Sequence, residues 1–417
     1  MFSDIVLALV VGLKPIVDAF YEYGVVKYVY MLSIFVAALL AHAGARLNAD
    51  PGPRPAAADG SYLGPALLCL TVAYGGYLFA LALAFGGSLH DIFKTLSPFL
   101  FYLAVSRTGS PLLLPAVAIA SAGVIFGNAL LFPFEYGWIY WGSVKTFKGF
   151  YFFKTDLAFA VSTALLCFAV YFRFRMTPVL VAAIVVGAAE VTLSNARLNY
   201  LTFLLVVVFV LLKSGFSLLA ILRFGLVATI VGALAVALYD PRAVLSPFDM
   251  SNPSHFFQGR NEIWEILVVR GLLENGLTGW LIGQGPYADL LLYARYAFDS
   301  RAYDAHNELL HLLVTQGVVG TAVYLWIWGL MLRDALLRGI PSALRRVAWF
   351  GLGLLALQSL TAVVSSFATK TWPIVTLLLV LRYAGAVAPE HRDSRMPAAR
   401  ARAGEGAIAL RGSPTSS

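Results

Sequence analysis

Apolar runs of about twenty residues recur from one end of the chain to the other, separated by short polar joints. A helix of about 20 apolar residues spans the ~30 Å hydrocarbon core of a bilayer, and backbone groups in that layer must be hydrogen-bonded within their own segment. Hydrophobic residues make up 60% of the 417 positions and charged residues 12%, against roughly 45–50% and about 25% in soluble domains. The chain is therefore predicted to be an all-α polytopic membrane protein.

About twelve runs meet the length criterion, and together they predict a transmembrane helical domain over residues 1–387. The first run is interrupted by Lys14-Pro15. It lacks the charged start and the cleavage site of a removable signal peptide, so it is expected to be retained. Residues 388–417 are polar, small and rich in Pro and Gly, which predicts a disordered tail. The predicted spans lie near 4–20, 26–46, 62–86, 92–106, 111–132, 155–172, 177–193, 197–213, 215–239, 306–332, 346–365 and 371–387.

Lys and Arg residues predict the orientation, because short loops that carry them are retained on the cytoplasmic side. Both termini are then cytoplasmic, and residues 240–305 form one large external loop, which is periplasmic in a Gram-negative host. The net charge of +8 fits this retention and contact with anionic membrane lipids, and nothing indicates a nucleic-acid partner. The inner joints hold Arg46, Arg54, Arg107, Arg173, Arg175, Lys213, Arg333, Arg338, Arg345 and Arg346, and the outer joints hold Lys94, Lys145, Lys148, Lys154 and Lys370.

The external loop is predicted to contain amphipathic helices. Residues 261–274 place apolar side chains at helical spacing with charged residues between them, and residues 287–299 form a second such piece. The turn Gly283-Gln284-Gly285-Pro286 separates the two. Helices of this composition lie in the membrane interface, where a pair of them can roof a cavity.

A histidine stands directly before the apolar run 309–330. His306 is thus expected at a helix N-terminus, where free N–H groups and the positive helix pole favour an anion and disfavour the protonated imidazole. A neutral imidazole is the form that a general base requires. The alternative interpretation is a capping cluster at the membrane interface, with Asp304 or Asn307 as the cap.

Two arginines are predicted on the same side of the membrane as His306. Arg197 begins a span, where arginine is uncommon and is a functional candidate, although its charge can also snorkel to the headgroups. Arg260 lies in the external loop, where a lone arginine is more often a solvated surface residue. Taken together, two guanidiniums beside an imidazole suit a diphosphate leaving group. Arginine binds phosphate oxygens through two parallel hydrogen bonds and stabilises the charge of a departing diphosphate.

Several other site classes are excluded by spacing. His306 and His311 are five residues apart, roughly 140° around a helix, so they do not form a metalloprotease zinc pair. The Gly283-Gln284-Gly285 turn follows no βαβ unit, which excludes a dinucleotide site. The sequence contains no phosphate-binding Gly-rich loop that ends in Lys-Ser or Lys-Thr, which argues against an ATP-driven pump. Neither a metal ion nor a cofactor is therefore expected.

Four small residues are given structural roles. Gly317 and Gly320 are predicted to permit close helix packing. Cys69 and Cys167 both fall within apolar spans, so they are predicted to be core residues and not members of a disulfide framework or a metal motif.

The motifs around the external loop resemble those of the bacterial O-antigen ligase and O-antigen polymerase superfamily of membrane glycan transferases. The resemblance rests on Arg197, on Gly259-Arg260 with Trp264 downstream, on Gly283-Gln284-Gly285, on His306-Asn307-Glu308-Leu309-Leu310 and on Gln316-Gly317-Val318-Val319-Gly320. The many-span layout with one large loop before the histidine-bearing span agrees with it.

The resemblance implies a metal-independent glycosyltransferase of the bacterial inner membrane that faces the periplasm and uses an undecaprenyl-diphosphate-linked glycan as donor. It implies that His306 activates the acceptor hydroxyl and that Arg197 and Arg260 bind the diphosphate. Asn307 and Glu308 are expected to have supporting roles.

The leading hypothesis is an O-antigen or exopolysaccharide polymerase, in which the acceptor is a glycan. A ligase that joins the finished glycan to a lipid A core shares the donor chemistry, and no residue decides between the two; a protein-glycosylating relative is a third possibility. A transporter or flippase for the lipid-linked glycan is the alternative from another class. Transporters tend to contain matching broken helices in two halves, and the sequence has no clear pair.

Overall fold

The fold was analysed in a computed structural model, which is mostly helical. It describes residues 2–20, some positions between 25 and 36, and residues 63–106, 112–141, 144–223, 225, 260–296, 305–336, 342–360, 362 and 373–381. Within these residues, three helices are long and apolar enough to cross a membrane, namely Gly64–Phe85, Lys154–Tyr171 and Glu308–Leu336. Shorter apolar helices accompany them. The predicted helical class and the presence of membrane-length helices are thus confirmed, whereas the total of about twelve spans stays a prediction.

The helices begin and end within a few residues of most predicted span boundaries. They are α1 (Phe2–Gly12), α2 (Lys14–Ala19), α3 (Leu63–Phe85), α4 (Leu89–Val105), α5 (Leu113–Ala122, continued by a π-helical turn Gly123–Gly127), α6 (Lys154–Tyr171), α7 (Pro178–Ser194), α8 (Arg197–Lys213), α9 (Arg260–Ile266, continued by a π-helical segment Leu267–Leu273), α10 (Gly276–Ile282), α11 (Ala288–Tyr296), α12 (Glu308–Leu336) and α13 (Ser342–Ser359). Residues 218–223 and 373–381 are also helical.

Some predictions fall on residues that the structure does not describe. These are most of the predicted spans 26–46 and 215–239, the first part of the external loop, Asp304 and the predicted tail 388–417. The first span is divided into α1 and α2, with Pro15 in the first turn of α2, a position at which proline costs no hydrogen bond.

A β-hairpin between α5 and α6 was not predicted from the sequence. Strands β1 (Trp138–Trp141) and β2 (Val144–Phe147) pair antiparallel, with Trp138 opposite Phe147. The fully buried Phe147 ring packs against the rings of Phe132 and Trp138. Short aromatic strands of this kind are difficult to separate from a helical run by periodicity alone.

The main core is built around α6, which is buried over nearly its whole length. Helices α5, α7 and α8 pack against it. Lipid is as apolar as leucine, so helices in a bilayer associate through close packing of small residues, and α6 is accordingly rich in Ala, Ser and Thr. Cys167 lies within this core, as predicted, whereas Cys69 is exposed on the outer surface of α3, so its predicted core position is wrong.

Hydrogen bonds connect several helix termini at one end of the bundle, which we call the loop end. Asn199 at the start of α8 donates to the Thr155 carbonyl at the start of α6 over 3.2 Å. Lys154 donates to the Asn195 carbonyl after α7 over 3.4 Å. Helices α7 and α13 end there, and α6 and α8 begin there.

Helix α12 is interrupted at Gly317, whose φ of 66° and ψ of −173° are not helical. A β-carbon at this glycine would lie 2.5 Å from the backbone nitrogen of Gly283, and one at Gly283 would lie 2.5 Å from the backbone nitrogen of Gln316. The two backbones therefore touch, which requires glycine on both sides. Gly320 makes the close helix approach that was predicted, against Tyr77. For Gly317 the predicted role is incomplete, because this residue breaks its helix.

We predict that Gly317→Ala destabilises the protein by at least ~2 kcal/mol, because the new side chain combines a left-handed φ with a backbone clash. Gly329→Ala is the matched control in the same helix, since a β-carbon there meets nothing within 4 Å. Thermal unfolding in detergent should show a lower midpoint for the first variant alone. Equal midpoints would contradict the observed contact between Gly317 and Gly283.

Candidate functional site

Helices α9, α10 and α11, called the external helices after their predicted position, pack on the first segment of α12 and form a second, smaller core. Its buried residues include Ile263 and Leu267 from α9 and its continuation, and Leu310 and Val314 from α12. Ala305, which is fully buried, belongs to the same cluster. The residue just before His306 is therefore held inside a packed unit.

The break in α12 is closed by the turn between α10 and α11. The carbonyl groups of Val314 and Thr315 lose their helical partners at the break, and they accept hydrogen bonds from the backbone N–H groups of Gln284 and Gly285 over 2.9 and 3.0 Å. An unsatisfied carbonyl in an apolar layer costs several kcal/mol, so these bonds allow the helix to break. The two glycine-containing motifs noted separately in the sequence form one contact.

This turn lies alongside α3 and not only over its end. The Tyr77 hydroxyl lies 2.6 Å from the Gln316 carbonyl and 2.8 Å from the Ile282 carbonyl, and it can donate to either. Tyr77 precedes the end of α3 at Phe85 by roughly 12 Å of helix. On α10, the large side chains of Leu277 and Trp280 are exposed. The residues from Ile282 to Gly285 thus run along the last part of α3, from Tyr77 to Phe85, since a β-carbon at Gly285 would meet the Phe85 side chain.

His306 adopts a left-handed backbone conformation, with φ of 45°, which costs a non-glycine residue roughly 1–2 kcal/mol. Both of its neighbours are anchored. The carbonyl of Ala305 accepts a hydrogen bond from the Trp264 indole over 2.8 Å. Asn307 accepts one from the Leu310 backbone N–H over 3.0 Å. Asn307 is thus the helix cap that the alternative interpretation proposed.

Arg260 is connected to this segment through Trp264. It is the first residue of α9 and is half-buried, and Trp264 follows one helical turn later on the same face. Because the Trp264 indole holds the carbonyl of Ala305, α9 lies beside the residue that precedes His306.

Arg197 is connected to the same place from the other side. Asn199, two residues into α8, accepts a hydrogen bond from the Gln358 side chain in the last turn of α13. Leu360, just after that helix, accepts one on its carbonyl from the Asn307 side chain over 3.3 Å. The chain of contacts brings the start of α8 to the segment that carries His306. The structure describes the backbone of Arg197 and not its side chain.

Glu308 points away from the external helices into the main core. It is 5% exposed, and its carboxylate interacts with the side chain of Tyr324. In an unbroken helix these two residues would be roughly 24 Å apart, so the break at Gly317 folds the first segment of α12 back on the second. Glu308 therefore has a structural role next to His306.

A buried carboxylate and imidazole were missed in the sequence. Asp289 in α11 is 1% exposed, and its Oδ2 lies 2.7 Å from Nδ1 of His311. The same oxygen accepts the backbone N–H of Ala305 over 3.1 Å. The available signal was an aspartate on the face of α11 that also carries Tyr293, the buried face of an otherwise amphipathic helix.

Other charged groups of the external helices are engaged elsewhere. Arg270 pairs with both carboxylate oxygens of Glu274 over 2.5 and 2.6 Å, and this hydrogen bonding raises the pKa of Arg270. Among the described residues, no group of three or more His, Cys, Asp or Glu side chains is arranged to hold a metal ion. The contacts described above link the starts of α8 and α9, which carry Arg197 and Arg260, with the segment that carries His306.

No protein-family model matches the chain, and no curated protein matches it either.

We predict that cysteines replacing Asn307 and Leu360 are joined by a short bis-maleimide, in a background in which Cys69 and Cys167 are replaced by alanine. The control pair combines the cysteine at position 307 with one replacing Ser214, at the far end of α8. Mass spectrometry of linked peptides should detect the first pair only. Similar yields for both pairs would contradict the contact between α12 and the end of α13.

Proposed function

We propose that this chain is a membrane glycosyltransferase that transfers a polyprenyl-diphosphate-linked glycan to an acceptor sugar hydroxyl, as an O-antigen or exopolysaccharide polymerase. One observation carries the proposal. A continuous series of contacts runs from the start of α9 at Arg260, through Trp264 and Ala305, past His306 and on to the start of α8 at Arg197. These contacts support the proposal, because they link α8, α9 and the segment of His306, which are far apart in the sequence.

In the proposed reaction, the acceptor hydroxyl oxygen attacks the anomeric carbon of the donor sugar. His306 takes the hydroxyl proton as the new glycosidic bond forms. The bond from the anomeric carbon to the diphosphate oxygen breaks, and the polyprenyl diphosphate leaves with the bonding electron pair. Guanidinium groups of Arg197 and Arg260 bind its oxygens through paired hydrogen bonds and stabilise the growing charge. No cofactor enters this scheme.

The membrane arrangement belongs to the same proposal. It comprises about twelve spans, cytoplasmic termini, and an active site that faces the periplasm or the outside of a bacterial inner membrane. The contact of residues Ile282 to Gly285 with the last part of α3, from Tyr77 to Phe85, supports a site at the membrane boundary, because a donor with a lipid tail brings its diphosphate to that boundary. The exposed apolar side chains of α10 suit contact with lipid at that level.

Replacement of the proposed base should remove activity and leave the fold intact. We expect His306→Ala to lower the rate of glycan transfer by about 10²–10⁴-fold, the usual effect of losing a general base. The assay uses protein reconstituted with lipid-linked repeat units alone, and Glu262→Gln, an exposed change in α9, is the control. Wild-type rates in the His306→Ala variant would remove His306 from the mechanism.

The same assay separates the polymerase from its alternatives. Chain growth with lipid-linked repeats alone supports the polymerase. Transfer that requires a lipid A core indicates a ligase, and lipid movement across vesicles without new glycosidic bonds indicates a flippase.

The two arginines should not tolerate lysine. A lysine keeps the charge but cannot form the paired hydrogen bonds of a planar guanidinium, so Arg197→Lys and Arg260→Lys should each lower transfer at least ~10-fold. Arg345→Lys, an exposed change in α13, is the matched control and should be neutral. Full activity in both site variants would contradict a bidentate diphosphate role.

A further inference from the structure

The Asp289 carboxylate joins two parts of the site. Its Oδ2 accepts the backbone N–H of Ala305 over 3.1 Å and lies 2.7 Å from Nδ1 of His311. A carboxylate facing Nδ1 selects the tautomer that carries its proton there. Its Oδ1 is buried and has no hydrogen-bond partner among the described residues. A buried carboxylate oxygen without a hydrogen-bond partner is energetically unfavourable. This cost indicates that Asp289 is placed there to hold the segment around Ala305.

Ala305 is fixed at both of its backbone polar groups. Its N–H is held by Asp289 and its carbonyl by the Trp264 indole, and the residue is fully buried. On the other side of His306, the Asn307 side chain is bound to the backbone of Leu310. His306 is therefore a single strained residue between two anchored neighbours. A residue in such a conformation persists only when its surroundings determine it.

We propose that Asp289 is a positioning residue for His306. With Trp264, it holds Ala305 so that the backbone of His306 keeps its left-handed turn and presents the imidazole to the acceptor hydroxyl. His311 completes the arrangement by donating to the carboxylate and holding its orientation. This role rests on the proposed glycosyl transfer, and it assigns no chemistry to Asp289 itself.

The alternative is that the Asp289–His311 pair forms a base of its own. His311→Asn tests this, because the asparagine amide can donate to Asp289 in place of Nδ1 while the imidazole is lost. A positioning role predicts that this variant keeps transfer within about tenfold of wild type. Loss as large as that of His306→Ala, in a variant whose Ala305 amide stays protected, would overturn the positioning role.

The main experiment combines hydrogen exchange with kinetics on the full chain in lipid nanodiscs. We expect Asp289→Ala to raise amide exchange across residues 305–310 at least tenfold. We also expect it to lower kcat about 10–100-fold with little change in the KM for the donor, since misplacement by about 1 Å can cost this much. Asp289→Asn retains an oxygen acceptor for the Ala305 N–H, so its kcat should fall between those of the wild type and Asp289→Ala.

Two further variants keep the test decisive. Trp264→Phe keeps an aromatic ring but loses the hydrogen bond to the Ala305 carbonyl. It should therefore raise amide exchange and lower kcat, as Asp289→Ala does. This variant provides the test even if Asp289→Ala does not fold. Asn275→Ala removes side-chain hydrogen bonds to Arg270 and Gly271 in the same unit and should alter neither. A wild-type kcat in Asp289→Ala and Trp264→Phe, or equal exchange in all variants, would overturn the inference.

The outcomes also separate this inference from the proposed function. Wild-type protein that transfers no glycan overturns the proposed function and the positioning role together. Wild-type protein that transfers glycan, beside Asp289 variants of equal kcat, overturns the positioning role and leaves the proposed function standing.

Discussion

Backbone hydrogen bonding within an apolar layer is the constraint on which this structure depends. A break in a membrane helix releases carbonyl groups that lipid cannot satisfy. In α12 the break falls at Gly317, and the carbonyls of Val314 and Thr315 are satisfied by N–H groups of the turn at Gln284 and Gly285. The turn that follows α10 therefore supplies the hydrogen bonds that α12 lacks at its break. The close contact between the two backbones explains why both Gly283 and Gly317 are glycines.

The break decides what the first segment of α12 contacts. Leu310 and Val314 pack with the external helices, whereas Glu308 reaches Tyr324 in the main core. One short segment thus connects two cores directly after His306. A histidine at that junction is held by both cores, and neither core could hold it alone.

Rigid support of this kind suits acid–base chemistry, because a general base must stay within hydrogen-bond reach of the proton that it removes. The anchors of Ala305 and Asn307 come from α9, α11 and α13, so three helices determine one backbone conformation. The strain at His306 is offset by hydrogen bonds formed at its neighbours. In the proposed mechanism, anion binding requires less precision and is assigned to the arginines at two helix starts.

The sequence by itself determined the helical membrane class and most boundaries of the described apolar helices, because the length of an apolar run and the residues that end it are local properties. It also indicated His306 next to a helix start and Asn307 as a cap. It could not reveal the break at Gly317, the Trp264 anchor or the Asp289–His311 pair. Each of these depends on backbone and side-chain groups that are distant in the chain. Only tertiary packing decides which of them meet, and only there does burial make an unsatisfied polar group costly enough to require a partner.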